Sequence, residues 1–577
     1  MIRRLAVLAS VTLIAIAPVR ATAQEAAIYS SMDAVHPVWA KEAMVSVQEA
    51  VAAEVGLQVL KDGGNAVDAG VAVALALAVT LPRAGNLGGG GFMLVHDAKS
   101  GETKAIDYRE MAPSSATRDM YLDAQGNADS NLSRFHGLAV GVPGTVAGMQ
   151  LALDTYGTMT LAEAAAPAIR LAEDGITVTA DLADSLKALE KRLKAWPASA
   201  AIFFKPDGNF YEPGDVLKQP DLAATLKKIA AEGPDGFYKG DVAQKIAASV
   251  AEAGGSMSIE DLANYKPVIR EPVSGSYRDY DIVSMPPPSS GGTHIIQILN
   301  VLEGYPLGFL GHNSSDTIHL MAEAMKRAYA DRSDYLGDPD FVDVPVAALT
   351  SKAYAEDIRK GISLNRAMPS ATIKPGKLAP YESDQTTHFS IVDQYGNAVS
   401  NTYTLNFSYG SGMTAAGTGV LLNNEMDDFS AKPGVPNAYG LIGGDANAVE
   451  PGKRPLSSMS PTIVLKDGKP FLVTGSPGGS QIITTTLQLI SNMIDHGMNV
   501  AEATAAARIH HQWLPDEIRT EQGGLSRDTV AALEHKGHAI NVGSVMGSTQ
   551  SIHVDQDKGL LLGASDPRRP GAATVGY

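Results

Sequence analysis

Hydrophobic and polar positions along the chain change period several times, and each change marks an element. An apolar run of thirteen residues, Leu5 to Ala17, follows a basic start at Arg3-Arg4 and ends in Ala21-Thr22-Ala23. It is too short for a bilayer, which takes ~20 residues. A basic start, a short apolar run and a small-x-small ending are the marks of a secretory signal. Residues 1–23 are therefore read as a removable leader, with Gln24 as the mature N-terminus and an exported, periplasmic or secreted, product. No later stretch reaches membrane length. Residues 40–80 read as two helices broken at Gly63-Gly64-Asn65, and the Ala-rich run Val71–Val79 reads as buried core. Gly85-Asn86-Leu87-Gly88-Gly89-Gly90-Gly91 leads from a helix into a strand, Phe92–His96. A dinucleotide fingerprint needs the opposite order, so this is a tight turn where backbones approach closely.

Residues 159–260 carry helical spacing. Pro286 to Gly292 is a rigid turn that opens a helix from Thr293. Residues 362–384 hold Pro369, Pro375 and Pro380 with little apolar periodicity, and read as an exposed linker. Beyond them the chain is dense in strands. Thr386–Asp393 and Ala398–Leu405 alternate around Gln394–Asn397, and Pro461–Leu465 and Pro470–Val473 flank an Asp-Gly turn. Ser480–Ile494 is amphipathic with helical period, and Asn499 with Glu502 forms a capping box. Strands at 549–554 and 559–563 close the series. No internal repeat is present. Hairpins layered with helices predict sheets covered by helices.

Composition narrows the function. Of 577 residues, 46 are Lys or Arg and 63 are Asp or Glu, for a net charge of −17. That argues against nucleic acid, which needs a basic face. With no cysteine, disulfides, thiol nucleophiles, iron–sulfur clusters and Cys-ligated zinc are excluded. There is no Gly-x-Ser-x-Gly elbow, phosphate loop, His-Glu-x-x-His or calcium loop. His510 and His511 are adjacent, so they cannot face one metal from a helix, and no metal site is expected. The unusual feature is Gln385-Thr386-Thr387-His388-Phe389-Ser390, where the linker meets a strand. A threonine that becomes a chain's first residue can use its own α-amino group as base, and that amine titrates near ~7.7–8.0. Taken locally, the same residues also describe a polar strand that begins with two threonines.

The longer pattern of segments resembles the γ-glutamyltranspeptidase family across residues 40–577. The matching pieces are GNLGGGGFM from Gly85, DYREMAP from Asp107, PPPSSGG from Pro286, QTTHFS from Gln385 and TYTLN from Thr402. LLNNEMDDFS from Leu421, RPLSSMSP from Arg454, SPGGS from Ser476, MGSTQ from Met546 and ASDPR from Ala564 follow in order. The resemblance implies a four-layer αββα N-terminal-nucleophile hydrolase, α+β in class, made as a precursor that cuts itself between Gln385 and Thr386. Residues 24–385 would form a large subunit and residues 386–577 a small one, together building a single intertwined domain.

The resemblance also assigns roles. Thr386 is implied as the nucleophile, Thr404 as the partner of its hydroxyl, and Gly478 with Gly479 as the oxyanion hole. Arg109 with Ser457 and Ser458 would hold a donor's α-carboxylate, and Asn406, Glu425 and Asp428 its α-ammonium. Relatives carry Gln or Glu at the position of Glu425. Pro433–Asn447 corresponds to a lid whose gating tyrosine is Tyr439, expected to meet Asn406. The implied reaction cleaves glutathione and related γ-glutamyl donors and passes the γ-glutamyl group to water, amino acids or peptides, with no cofactor or metal. Two rivals stand: a cephalosporin or glutaryl acylase of the same superfamily, and an exported solute-binding protein. Locally, Arg109 could instead be a surface partner of Asp107 or Glu110.

Overall fold

The computed structural model describes residues 33–373, 386–432, 434–435, 437 and 441–577. The leader 1–23, Gln24, Gln385 and Tyr439 lie outside the described residues. Two seven-stranded antiparallel sheets form the centre. One runs, in spatial order, Ala573–Gly576, Met44–Val47, Thr387–Val392, Ala398–Thr404, Gly90–Asp97, Glu102–Tyr108 and Val268–Arg270. The other runs Val38–Ala40, Leu560–Ser565, Gln550–Asp555, Lys469–Thr474, Thr462–Lys466, Tyr280–Ser284 and Val273–Tyr277.

The two-residue period of the strands sorts their side chains into layers. Phe389, Ile391, Val399 and Tyr403 turn outward and pack with the wholly buried helix Ala66–Thr80. Phe92, Leu94 and Ala398 turn inward and meet Val283, Ile463, Val473 and Ile552 of the second sheet. On that sheet's outer side Val464 and Leu472 pack with residues of the helices Gly291–Leu302, Ser315–Tyr335 and Gln481–Ile494. The result is the four-layer αββα arrangement. Between the sheets, buried hydroxyls find partners across the gap: Ser390 donates to the carbonyl of Gln550 and Ser400 to that of Thr474, each at 2.9 Å, which satisfies these two hydroxyls inside the interior.

Three readings of the sequence change. Residues 38–47 are two strands, Val38–Ala40 and Met44–Val47, and the first helix begins only at Ala50. Met44–Val47 is buried throughout between Thr387–Val392 and Ala573–Gly576, a two-sided burial that removes the alternation a surface strand would show. The closing strand is Ala573–Gly576, a half-buried edge with too little contrast to stand out. The described part of the linker is docked: Asp516 accepts from the Ser370 amide and hydroxyl at 2.8 and 2.7 Å. The Trp513 indole donates to the carbonyls of Ser370 and Ile373. The capping box at Asn499 and Glu502 is formed as read.

Phe389 is fully buried between sheet and helix layers. Phe389→Ala is expected to lower unfolding free energy by about 3–5 kcal/mol, the usual cost of emptying such a site. Denaturant unfolding of the purified variant measures it, and a change within 1 kcal/mol of wild type would show that this layer contact is dispensable.

Candidate active site

The register of one hairpin builds the centre of the site. Thr387 pairs with Tyr403, so Thr386, just ahead of its strand, lies beside Thr404 at the end of the neighbouring one. The Thr386 hydroxyl donates to Thr404 Oγ1 at 3.3 Å, and Thr404 Oγ1 also accepts from the amide of Asn406 at 2.8 Å. Beneath them runs the glycine-rich turn. A side chain at Gly89 would sit 2.1 Å from the Thr404 carbonyl, so only hydrogen fits there. That carbonyl accepts from Asn86 Nδ2 at 2.9 Å, and Asn86 Oδ1 accepts from the Gly89 amide at 2.9 Å. Asn86 thus fixes the backbone that carries Thr404. Asn406 holds a left-handed backbone, φ 73°, and its side chain donates to the carbonyl of Asn424 at 2.9 Å.

Arg109 follows directly on the Glu102–Tyr108 strand and is 0% exposed, which removes the surface-pair reading. Its Nη1 meets Glu425 and its Nη2 meets Asp428 at 2.5 Å, both in the turn Glu425–Asp428. The guanidinium also donates to the carbonyls of Pro455 and Leu456 at 3.2 and 3.3 Å. Asp107 instead faces Arg270 at 2.8 Å, and Glu110 lies 3.8 Å from Arg109. Asn447 bridges the two loops, donating to the Asp428 carbonyl at 2.7 Å and accepting from the Leu456 amide at 3.0 Å.

Burial sets the electrostatics. Desolvation raises the carboxyls of Glu425 and Asp428 above their usual range, against the pull of Arg109. Glu110 is pushed up to about 7 by burial, again opposed by Arg109. Burial alone would lower Arg109, but Glu425 and Asp428 hold it above the ordinary arginine value. A second guanidinium, Arg332, was not read from the sequence. It projects from the helix Ser315–Tyr335, donating through Nε to Ser290 Oγ at 2.9 Å and through Nη2 to Ser458 Oγ at 3.3 Å. Burial lowers it to about 10, against Tyr329 and Asp428, so it stays charged near neutrality. Its signal was a charged residue on the apolar face of a helix, in step with Met325 and Tyr329.

Thr386, Arg109, Arg332 and Asp428 share one cavity with Ser457 and Ser458, of about 20 Å³, which is room for a water molecule. Thr404, Asn406, Glu425, Leu441 and Gly479 also line it. Gly478 and Gly479 hold φ of 131° and 53° just ahead of the helix Gln481–Ile494. Among the described residues no acceptor takes either N–H. Gly478 sits one residue behind the cavity wall. A larger cavity of about 530 Å³, lined by Glu49, Arg83, Asp181 and Pro570, touches none of the residues that converge on Thr386.

One group of described residues has metal-ligand chemistry: His319, Glu323 and His538, all buried. His319 Nε2 donates to the Ser363 carbonyl at 2.6 Å, and Glu323 is ion-paired with Lys326. The facing ring nitrogens of His319 and His538 are 2.7 Å apart. Two nitrogens at ~2.0–2.1 Å from one tetrahedral zinc would stand ~3.3 Å apart. The observed spacing is that of a hydrogen bond.

The γ-glutamyltranspeptidase family model matches residues 52–576. The chain belongs to that family. The glutathione hydrolase proenzyme of Escherichia coli (strain K12) is 60% identical over 546 residues, 94% of this chain and 93% of that one. Among solved structures, the cephalosporin acylase from Bacillus halodurans superposes with a TM-score of 0.83 at 31% identity, covering 96% of this chain and 99% of that one. The γ-glutamyltranspeptidase of Helicobacter pylori superposes with a TM-score of 0.56 at 51% identity, covering 56% of this chain and 93% of that one. The family member is therefore an enzyme, and its αββα fold is shared with acylases.

Because the protonated form of Glu110 is favoured by burial, the folded enzyme binds more protons than the unfolded chain between ~4.5 and about 7. Stability from this group is full below that window and is lost as pH rises through it. Glu110→Gln, neutral at every pH, is expected to match wild type near pH 5 and to unfold at a higher temperature above pH 7.5. A constant difference across the range, in thermal melts, would mean Glu110 stays ionised.

Proposed function

We propose that this γ-glutamyltransferase and glutathione hydrolase works through a γ-glutamyl ester on Thr386. The observation that carries the proposal is a lone threonine hydroxyl at a strand start, bonded to Thr404 in a cavity that also holds Arg109, Glu425 and Asp428. A precursor cut between Gln385 and Thr386 turns the Thr386 amide into an amine that serves as base. Residues 24–385 and 386–577 become the two subunits. Strands of both pieces are hydrogen-bonded to one another in both sheets, so the pieces stay one domain. The names of the proenzyme relatives support such processing.

The hydroxyl adds to the donor's γ-carbonyl and its proton passes to the Thr386 amine. The N–H groups of Gly478 and Gly479 receive the oxyanion, as unpaired donors at a helix start can. The amine then protonates the leaving nitrogen, and the ester remains. Water or the amine of an amino acid or peptide attacks next, giving hydrolysis or transfer. In the resting site Arg109 is neutralised by Glu425 and Asp428. A zwitterionic α-amino acid end satisfies both sides by interposing: its carboxylate takes Arg109, Ser457 and Ser458, and its ammonium takes Asn406, Glu425 and Asp428. Pro433–Asn447 acts as a lid, Leu441 lining the cavity and Tyr439 gating Asn406. The working partners are thus glutathione, other γ-glutamyl compounds and acceptor amines, with no cofactor or metal in any step. The leader 1–23 directs export to the periplasm or beyond, and no helix of the described residues is long and apolar enough to cross a membrane.

Thr386→Ala is expected to leave one uncut, inactive chain on a denaturing gel, while wild type gives two bands split before Thr386. Full activity from a single-band wild type would defeat the scheme and return the solute-binding and other rivals. The acylase reading is separated by the donor. A glutaryl group lacks only the amine, so it leaves the buried Glu425 and Asp428 without their cation, and truncating one side of a buried ion pair costs ~3–5 kcal/mol. Wild type is expected to prefer a γ-glutamyl anilide over a glutaryl anilide by at least ~10²-fold in kcat/KM. Equal turnover would promote the glutaryl acylase.

A further inference from the structure

The hydroxyl groups of Ser457 and Ser458 have their polarity set by the surrounding framework. A serine hydroxyl can donate one proton and accept at its lone pairs. Ser457 Oγ accepts from the Met459 amide at 3.1 Å. Ser458 Oγ accepts from Arg332 Nη2 at 3.3 Å. Among the described residues no protein acceptor takes the proton of either hydroxyl. Both are therefore free to donate into the cavity that they line.

The donor to Ser457 is backbone and comes with the turn. The donor to Ser458 is a side chain held in place from outside the loop. Arg332 is fixed by its second bond, Nε to Ser290 Oγ at 2.9 Å, and Ser290 passes its own proton to the Ser457 carbonyl at 2.8 Å. Ser290 also donates its amide to that carbonyl at 2.8 Å, so the Pro286–Gly292 turn, the serine loop and Arg332 form one locked unit. Arg332 is buried and, among the described residues, no carboxylate stands within ion-pair distance of it. Among the described residues no ion pair neutralises its charge, whereas Arg109 has two at hydrogen-bond distance. A buried charge of this kind is tolerated where an anion completes it.

We propose that Arg332 is a positioning residue for the carboxylate end of the donor site, acting through Ser458: it fills the acceptor side of that hydroxyl and so directs the proton to the bound α-carboxylate. The assignment rests on the γ-glutamyl reading and adds a residue to it. It also predicts asymmetry between the serines, since only Ser458 depends on a replaceable side chain.

The test uses the processed enzyme and two anilides, γ-glutamyl and 4-aminobutyryl, the second being the same donor without its α-carboxylate. Arg332→Gln is expected to raise KM for the γ-glutamyl anilide by ~10-fold or more, with kcat changed by less than ~3-fold. Its kcat/KM for the 4-aminobutyryl anilide should stay at the wild-type value, because no carboxylate is there to be lost. Arg332→Lys, which keeps the charge but not the two-point fork, should fall between and provides the reading if the glutamine variant fails to fold or to cleave itself. Adding Ser458→Ala to the glutamine variant should cost nothing further, and adding it to the lysine variant should bring that variant only to the level of Ser458→Ala alone, as expected for residues acting as one unit. Equal losses on both anilides, or full additivity with Ser458→Ala, would overturn the assignment. Wild type that does not prefer the γ-glutamyl anilide would instead overturn the donor reading itself, and the Arg332 role with it.

Discussion

The pairing of two strands governs everything at the site. Thr387–Val392 and Ala398–Thr404 meet in one antiparallel register, and that register alone sets Thr386 beside Thr404. A slip of one residue would send Phe389 and Ile391 into the gap between the sheets and His388 and Ser390 into the helix layer. The apolar contacts of Phe389 with the Ala66–Thr80 layer and the bond from Ser390 to Gln550 hold it against that slip. The Thr386 hydroxyl is thus placed by core packing, which is far stiffer than a loop.

Around that fixed point the enzyme gathers charge at low exposure. Two guanidiniums and three carboxyls lie within a small volume, and burial opposes the ionisation of every one of them. Arg109 is ion-paired within the site, whereas among the described residues Arg332 has no ion pair and feels Asp428 only at longer range. On the proposed reading, recognition of a zwitterion becomes an exchange of partners in place of the burial of new charge, which limits the desolvation cost.

Much of this was legible in the sequence, for stated reasons. The alternation through Thr386–Asp393 and Ala398–Leu405, the Asp-Gly turn near Asp467 and the Asn499 capping box are local signals, and all formed. The glycine-rich turn announced a close approach, and Gly89 against Thr404 supplies it. Residues set by long-range packing were harder to see. Met44–Val47 looks helical because burial on both sides erases its period. Asn86, Glu110, Arg332 and Asn447 owe their positions to partners far along the chain, and only Arg332 leaves a local mark, a charge in step with the apolar face of its helix. The docking of Ser370 and Ile373 on Trp513 and Asp516 likewise depends on residues more than a hundred positions away.

The order of strands in the first sheet has a kinetic consequence. Met44–Val47 lies between Thr387–Val392 and Ala573–Gly576, and Ala398–Thr404 lies against Gly90–Asp97, so each side of the proposed cut contributes strands that only the other side can pair. While the chain is continuous, assembling this sheet is a unimolecular event whose loop-closure entropy is modest even over long spans. Once the chain is cut before Thr386, the same assembly needs two molecules to meet. Unfolding of an enzyme cut there would be coupled to dissociation, and its working lifetime would be set by the height of the unfolding barrier and not by the equilibrium that formed it.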